Sequence, residues 1–382
     1  METLFGFNAE TVKDNNMGHT TKEIARQPKV WKSIYEKISS HREEIKAFMA
    51  KFDESTRIIF AGAGSSGFIG DSLAPIIRKD FMFKDVESIH TTDIVGNPEQ
   101  YLIKDVKTVM VSFGRSGNSP ESVAAVELAE QFIEDISHII ITCNPEGKLA
   151  KFTNERTLNL TFSEIEDLGF AMTSSVTGMM LAAYSVFGIN NNYTKTVDKL
   201  SGYAQDLIDN KYTDIFNAFN NNVNRLVVLG SANLFGAARE GALKSTELTA
   251  GQIATGYDTP MGFRHGPKSF LNKNTVIIFF VSNNEYTRKY DLDMLNELSH
   301  ASKHKLVVIS DKYYEDVEQY TDIYLYNGKE EVLEEAFTPY IPIVAAQIFS
   351  LNASLSLGCT PDNPFPSGEV NRVVKGVVIH KF

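Results

Sequence analysis

The sequence predicts an α/β protein made of two tandem three-layer αβα sandwiches, each built on a parallel sheet, behind a helical N-terminal extension. Three observations predict it. From Arg57 onward, short β-branched runs alternate with helical segments, a pattern that implies crossover connections and parallel strands. The second half repeats the first: RIIFAGAGSSGFIG overlays RLVVLGSANLFGAA, TVMVSFGRSGNS overlays TVIIFFVSNNEY, and HIIITCN overlays LVVISD. Finally, a chain of 382 residues is long for one core, because domains average about 100–200 residues. The expected divisions are an arm with helices over 1–52, a first sandwich over 53–205, and a second over 206–382 that ends in a tail.

Taken in order, residues 1–18 carry little periodicity and read as a loosely held arm. Thr20-Thr21-Lys22-Glu23 resembles a capping box. Ile24, Trp31, Ile34, Tyr35, Ile38, Ile45, Phe48 and Phe52 then recur at helical spacing and should pack on the first sandwich. RIIFAG, VESIHTT, VKTVMVSF, SHIIITCN and TLNLTF are the first set of strands, with helices expected near 66–80, 119–133 and 171–188. Asn190-Asn191-Asn192 marks a boundary, and a polar helical bridge covers 194–220. RLVVLG, NTVIIFFVS, KLVVIS and TDIYLYN are the second set, with helices near 235–250, 286–301 and 331–357. Sheets of this kind bind ligands beyond the carboxyl ends of their strands.

Composition narrows the function. A net charge of −11 argues against a nucleic-acid or anionic-membrane partner. It leaves room for a small phosphorylated ligand, which backbone amides and hydroxyls can hold. Cys143 and Cys359 are too few for a disulfide framework and fit a reducing cytoplasm. The polar start METLFGFNAETVKDNN lacks a secretion signal, and no apolar run reaches the roughly eighteen residues of a membrane span.

Two Ser/Gly turns stand at strand ends. Gly62-Ala63-Gly64-Ser65-Ser66-Gly67 is formally GxGxxG, and dinucleotide binding, phosphate or sugar binding, and a purely structural turn all remain open. Ser112-Phe113-Gly114-Arg115-Ser116-Gly117-Asn118-Ser119-Pro120 is the stronger motif. Its glycines let amides point inward, and Pro120 starts a helix whose dipole would attract an anion. The bland alternative is a loop that simply turns sharply.

The second half keeps the strands and loses these turns. In their place Glu240, Lys244 and Glu247 fall at i, i+4 and i+7 on one helical face, followed by a Gly-rich loop that delivers Arg264-His265-Gly266-Pro267. Alone, the helix would read as a solvated salt-bridge ladder. Anion turns in one half and acid–base groups in the other point to a catalytic site. His300 and His304 have helical spacing, but Lys303 and Lys305 flank His304, so no metal site is expected.

These residues resemble the SIS (sugar isomerase) family, over roughly residues 55–382. Its phosphate loop Ser-x-Ser-Gly-x-Thr is matched by Gly114-Arg115-Ser116-Gly117-Asn118-Ser119, and the serine of its first turn by Ser66. Its E-G-A-L-K-x-x-E…H-G-P signature is matched by Glu240 through Glu247 and by His265-Gly266-Pro267. IARQPKVW and GCTPDNPFPSGEVNRVVKGV are similar to the AgaS group of tagatose-6-phosphate ketose/aldose isomerases and galactosamine-6-phosphate deaminases.

The resemblance implies a phosphosugar substrate, no cofactor and a homodimer with shared sites. Ser65, Ser66, Ser112, Arg115, Ser116 and Ser119 would bind the phosphate, with Arg115 or Ser112 compensating for Gly114. Glu247 would be the base, tuned by Glu240 and Lys244, His265 would open the sugar ring, and Lys375 would close over the substrate. No glutaminase-like segment precedes residue 55, so ammonia release or simple isomerisation is expected rather than glutamine-dependent synthesis. A phosphosugar-sensing regulator is the alternative from another class, and GAGSSG leaves a weaker dehydrogenase reading.

Overall fold

Two five-stranded parallel sheets carry the fold. The computed structural model describes residues 4–81, 83–300, 304–329, 332–374 and 376–382. In the first sheet β1 (Arg57–Gly62), β2 (Val86–His90), β3 (Thr108–Gly114), β4 (Ile136–Thr142) and β5 (Thr157–Thr161) lie in the order β2-β1-β3-β4-β5. In the second, β6 (Arg225–Gly230), β7 (Ala254–Asp258), β8 (Thr275–Phe280), β9 (Lys305–Ser310) and β10 (Ile323–Tyr326) lie in the order β10-β9-β8-β6-β7. Counted from the start of each half, the two orders are the same, as expected of a duplication.

The chain divides into two units, one comprising Lys29–Asp167, Ser174–Val197 and Gly368–Phe382, the other Met1–Pro28, Leu168–Thr173 and Asp198–Ser367. We call them the first and second sandwich.

The central strands are buried along nearly their whole length and mostly apolar because both faces are covered. In the first sandwich Ile59, Ala61, Met110 and Ile140 pack on one side with Val126 and Ala129 of the Pro120–Phe132 helix. Residues of opposite parity face the other side, where Phe60 meets Phe113 and Phe187 at ring-centroid distances of 6.1 and 5.7 Å. In the second, Val227, Leu229, Ile277 and Phe279 pack with Met294, Leu295 and Leu298. Each such buried side chain contributes about 1.5–3 kcal/mol of transfer free energy.

Four expectations change. β7 lies inside the segment read as a Gly-rich loop. It is an edge strand, half-exposed along ATGYD, so it lacks the apolar run that marks its neighbours. The N-terminal arm contains a helix, Ala9–Asp14, capped by the Asn8 side chain accepting from the Thr11 amide. Thr20 lies within the Gly18–Ala25 helix instead of capping it. Its hydroxyl donates to Asp362 at 2.7 Å, and Glu23 accepts from the Leu168 and Gly169 amides. This helix therefore belongs to the second sandwich, whereas Trp31 anchors the next one to the first by donating to Thr177 Oγ1 at 3.0 Å.

Among the described residues no helix is long and apolar enough to cross a membrane.

Candidate active site

In the first sandwich, β1 and β3 are neighbours and both run toward the same edge. Gly62 ends β1 where a Cβ would lie 2.4 Å from the Ser66 carbonyl carbon, and Gly64 takes a φ of +56° that favours glycine. The chain can therefore fold back at once, and Ser65 and Ser66, both buried, open the Ser65–Phe81 helix.

Ser112 is buried within β3, between Ala61 and Ile140 of the adjoining strands. The loop beyond β3 is fixed from several sides. Thr142 Oγ1 donates to the Gly114 carbonyl at 2.6 Å, Asn144 Nδ2 to the Ser116 carbonyl at 3.0 Å, and the Leu149 amide to the Gly117 carbonyl at 3.0 Å. Ser116 is half-buried, and its Oγ accepts from the Asn118 amide at 3.3 Å. Ser119 precedes Pro120 at the helix start and donates to Glu121 Oε2 at 2.7 Å. Arg115 is buried, and Nη2 donates to the Arg372 carbonyl at 2.8 Å. Ser65 and Ser66 thus start the helix that follows β1, the strand next to β3, from whose end the Ser112–Ser119 loop leaves. Lys375 lies outside the described residues.

His90 went unnoticed in the sequence. It ends β2 with its ring against the first turn of the Ser65–Phe81 helix, where a Cβ on Gly67 would come within 2.8 Å of it, and its Nε2 is 3.6 Å from Asp71. A lone histidine after a strand carries no spacing signal; only the neighbouring strand brings it here.

In the second sandwich the Leu234–Leu248 helix carries Glu240, Lys244 and Glu247. It packs against the Tyr340–Ser356 helix so closely that a Cβ on Gly241 would sit 3.0 Å from Ala346 Cβ. The charged face is also an interior one and not a solvated ladder. Lys244 is fully buried, its Nζ 3.3 Å from Glu240 Oε1 and 2.6 Å from Glu247 Oε2. Glu240 is buried too, and Glu247 keeps 26% of its side chain exposed. Burial is the largest single influence on Lys244 and draws its pKa down, but the two carboxylates together outweigh it and the pKa is raised. One ammonium thus serves two carboxylates, of which one reaches solvent.

His265 follows the short Pro260–Phe263 helix and is exposed. Its side chain forms no hydrogen bond or ion pair among the described residues. The loop around it is nevertheless pinned: Arg264 Nε donates to Glu297 Oε2 at 2.8 Å, and Lys268 pairs with the other oxygen of the same carboxylate. Glu297 lies 33 residues beyond Arg264, so nothing local in the sequence announces it. Gly266, with φ +123°, supplies the turn.

A family model described as the SIS domain matches residues 51–188 and 221–356. The chain belongs to the SIS-domain family. Along 371 residues it is 38% identical to the D-galactosamine-6-phosphate deaminase AgaS of Shewanella sp. (strain ANA-3), covering 95% of this chain and 92% of that one. The crystal structure of tagatose-6-phosphate ketose/aldose isomerase from Escherichia coli superposes with a TM-score of 0.86 at 37% identity, covering 95% of this chain and 96% of its own. A Clostridium novyi NT protein provisionally assigned as a tagatose-6-phosphate ketose/aldose isomerase superposes with a TM-score of 0.96 at 42% identity over the whole of both chains. All three SIS proteins are named as enzymes of phosphosugar chemistry.

Proposed function

We propose that this SIS protein is an amino-sugar-phosphate deaminase/isomerase that converts galactosamine 6-phosphate and water into tagatose 6-phosphate and ammonia. The observation that carries the reading is the buried Glu240–Lys244–Glu247 cluster with one carboxylate open to solvent. A sensor would need only the Ser/Gly turns. The deaminase named above supports the substrate.

In this reading Ser65, Ser66, Ser116 and Ser119 hold the phosphate with the amides of two helix starts, and Ser112 and Arg115 border it. His265 opens the sugar ring, since histidine readily both gives and takes a proton near neutral pH. Glu247 removes the proton from C2 of the open-chain aldehyde and returns it to C1, which leaves an imine at C2. Water adds to the imine, the C–N bond breaks, and ketone and ammonia leave. Glu240 and Lys244 hold the charge of the base, and Lys375 closes over the sugar.

His265 sits exposed on a pinned loop, which suits a histidine offered to a second copy and supports the reading of a homodimer with shared sites. Both cysteines are buried and neither is in a disulfide, which suits a reducing cytoplasm. The isomerase structures favour a second reading, aldose–ketose exchange without loss of nitrogen.

The test is to supply galactosamine 6-phosphate, glucosamine 6-phosphate and tagatose 6-phosphate separately and to quantify ammonia, ketose and aldose. Equimolar ammonia and ketose from the galacto compound is expected. Interconversion of tagatose 6-phosphate with its aldose and no ammonia from either amino sugar selects the second reading.

A further inference from the structure

We infer that Arg115 is a positioning residue for the C-terminal tail, tying the Ser/Gly loop after β3 to the segment 368–374. The inference rests on the reading of Ser116 and Ser119 as phosphate-binding for its functional consequence, but not for the contact itself.

Among the described residues the tail has no helix or strand of its own beyond Gly368, and Val370, Val374, Val378 and Phe382 are exposed. Its path therefore depends on a few point contacts within the first sandwich. At the far end the Phe382 ring meets Phe132 edge-on at 4.9 Å, and residues 378–382 line a cavity of about 640 Å³ with Val95, Pro98 and Leu128.

At the near end everything converges on Arg372. Its guanidinium donates to the Asp167 carbonyl and lies 3.6 Å from Glu166. Asp167 is itself immobilised, because its buried carboxylate accepts from the Ser174 and Ser175 amides at 3.2 and 2.9 Å and so caps the Ser174–Phe187 helix. The Arg372 carbonyl in turn accepts from Arg115, whose side chain is only 7% exposed.

Arg115 stands between Gly114 and Ser116, whose carbonyls Thr142 and Asn144 hold. A phosphate that draws in the Ser116–Ser119 amides thus acts on the backbone that carries Arg115, and through its guanidinium on residue 372. Coupling of this kind is reciprocal: whatever the phosphate does to the tail, the tail does to phosphate affinity. Lys375 follows Arg372 by three positions in the sequence.

Hydrogen exchange of peptides from 368–382, with and without inorganic phosphate, tests this in the wild type, Arg115→Ala and Arg115→Lys. Without phosphate, Arg115→Ala should speed exchange of 368–374 by about tenfold or more, the scale of a lost charge-assisted hydrogen bond, and Arg115→Lys, which keeps a donor, should restore protection. At phosphate concentrations that saturate each protein, tail exchange should slow in the wild type and not in Arg115→Ala. An unchanged tail in Arg115→Ala, with phosphate affinity lost instead, overturns the inference and makes Arg115 a phosphate ligand. Failure of Ser116→Ala to weaken phosphate binding removes the phosphate-loop reading, while the comparison of unliganded tails still decides the contact.

Discussion

The Lys244 ammonium is fully buried 2.6 Å from the Glu247 carboxylate, on a helix whose sequence pattern is that of a surface ladder. Such a buried pair is a poor source of net stability, since desolvation offsets much of the attraction, yet removing one partner is costly. Lys244→Met leaves Glu240 and Glu247 facing each other and should destabilise the protein by about 3–5 kcal/mol, measured by urea titration. Adding Glu240→Gln should recover part of that loss. If the single variant unfolds at the wild-type midpoint, the cluster is not buried as described.

Glu297 anchors the loop that carries His265 from both sides. The hydrogen bond from Lys268 is the largest influence on its carboxyl; burial, the second, opposes it, but the Lys268 charge and Arg264 add to the Lys268 bond and hold the carboxyl below the usual glutamate value. A depressed folded pKa stabilises fully above the unfolded value, and the contribution is lost as pH falls through the folded one. Glu297→Gln at neutral pH should therefore expose residues 260–270 to hydrogen exchange as acid does in the wild type, after correction for intrinsic rates. Equal protection in variant and wild type at neutral pH would show that the anchor is not needed.

Two buried groups should give opposing pH slopes. Burial lowers the pKa of His138 to about 4, although Glu130 beside it pulls the other way. Between its usual value and that one, the unfolded chain binds a proton that the folded chain refuses, so stability falls as pH falls. Burial raises Asp291 from 3.8 to about 6 against hydrogen bonds from Ser231 and the Ser282 amide. Its contribution is full below the unfolded value and is lost as pH rises through the folded one. Asp291→Asn should thus lose stability more steeply than the wild type from pH 6 to pH 4, and His138→Gln less steeply, by urea midpoints across the window. Parallel profiles for all three would refute both assignments.

How much of this was legible follows from where each signal lies. β1, β3, β6 and β8 announce themselves as apolar runs because both faces of a central strand are buried. β7 does not, because an edge strand needs no such run. The acid–base residues were legible as a motif, but their burial was not: Glu and Lys four apart look alike on a surface helix and on this one. The helix that packs on theirs, Tyr340–Ser356, lies about a hundred residues away in sequence. Thr20 and Glu23 mimic a cap, yet their partners are Asp362 and the 168–169 amides. Arg115 and Arg372, 257 residues apart, meet only after the chain has folded.

The proposed role of Glu247 is tested most directly by Glu247→Gln turning over galactosamine 6-phosphate in heavy water. The account predicts that deuterium incorporation at C1 and ammonia release fall together, by about 10²–10⁴-fold as expected for loss of a general base, while inorganic phosphate binds as in the wild type. Full turnover by Glu247→Gln would contradict it.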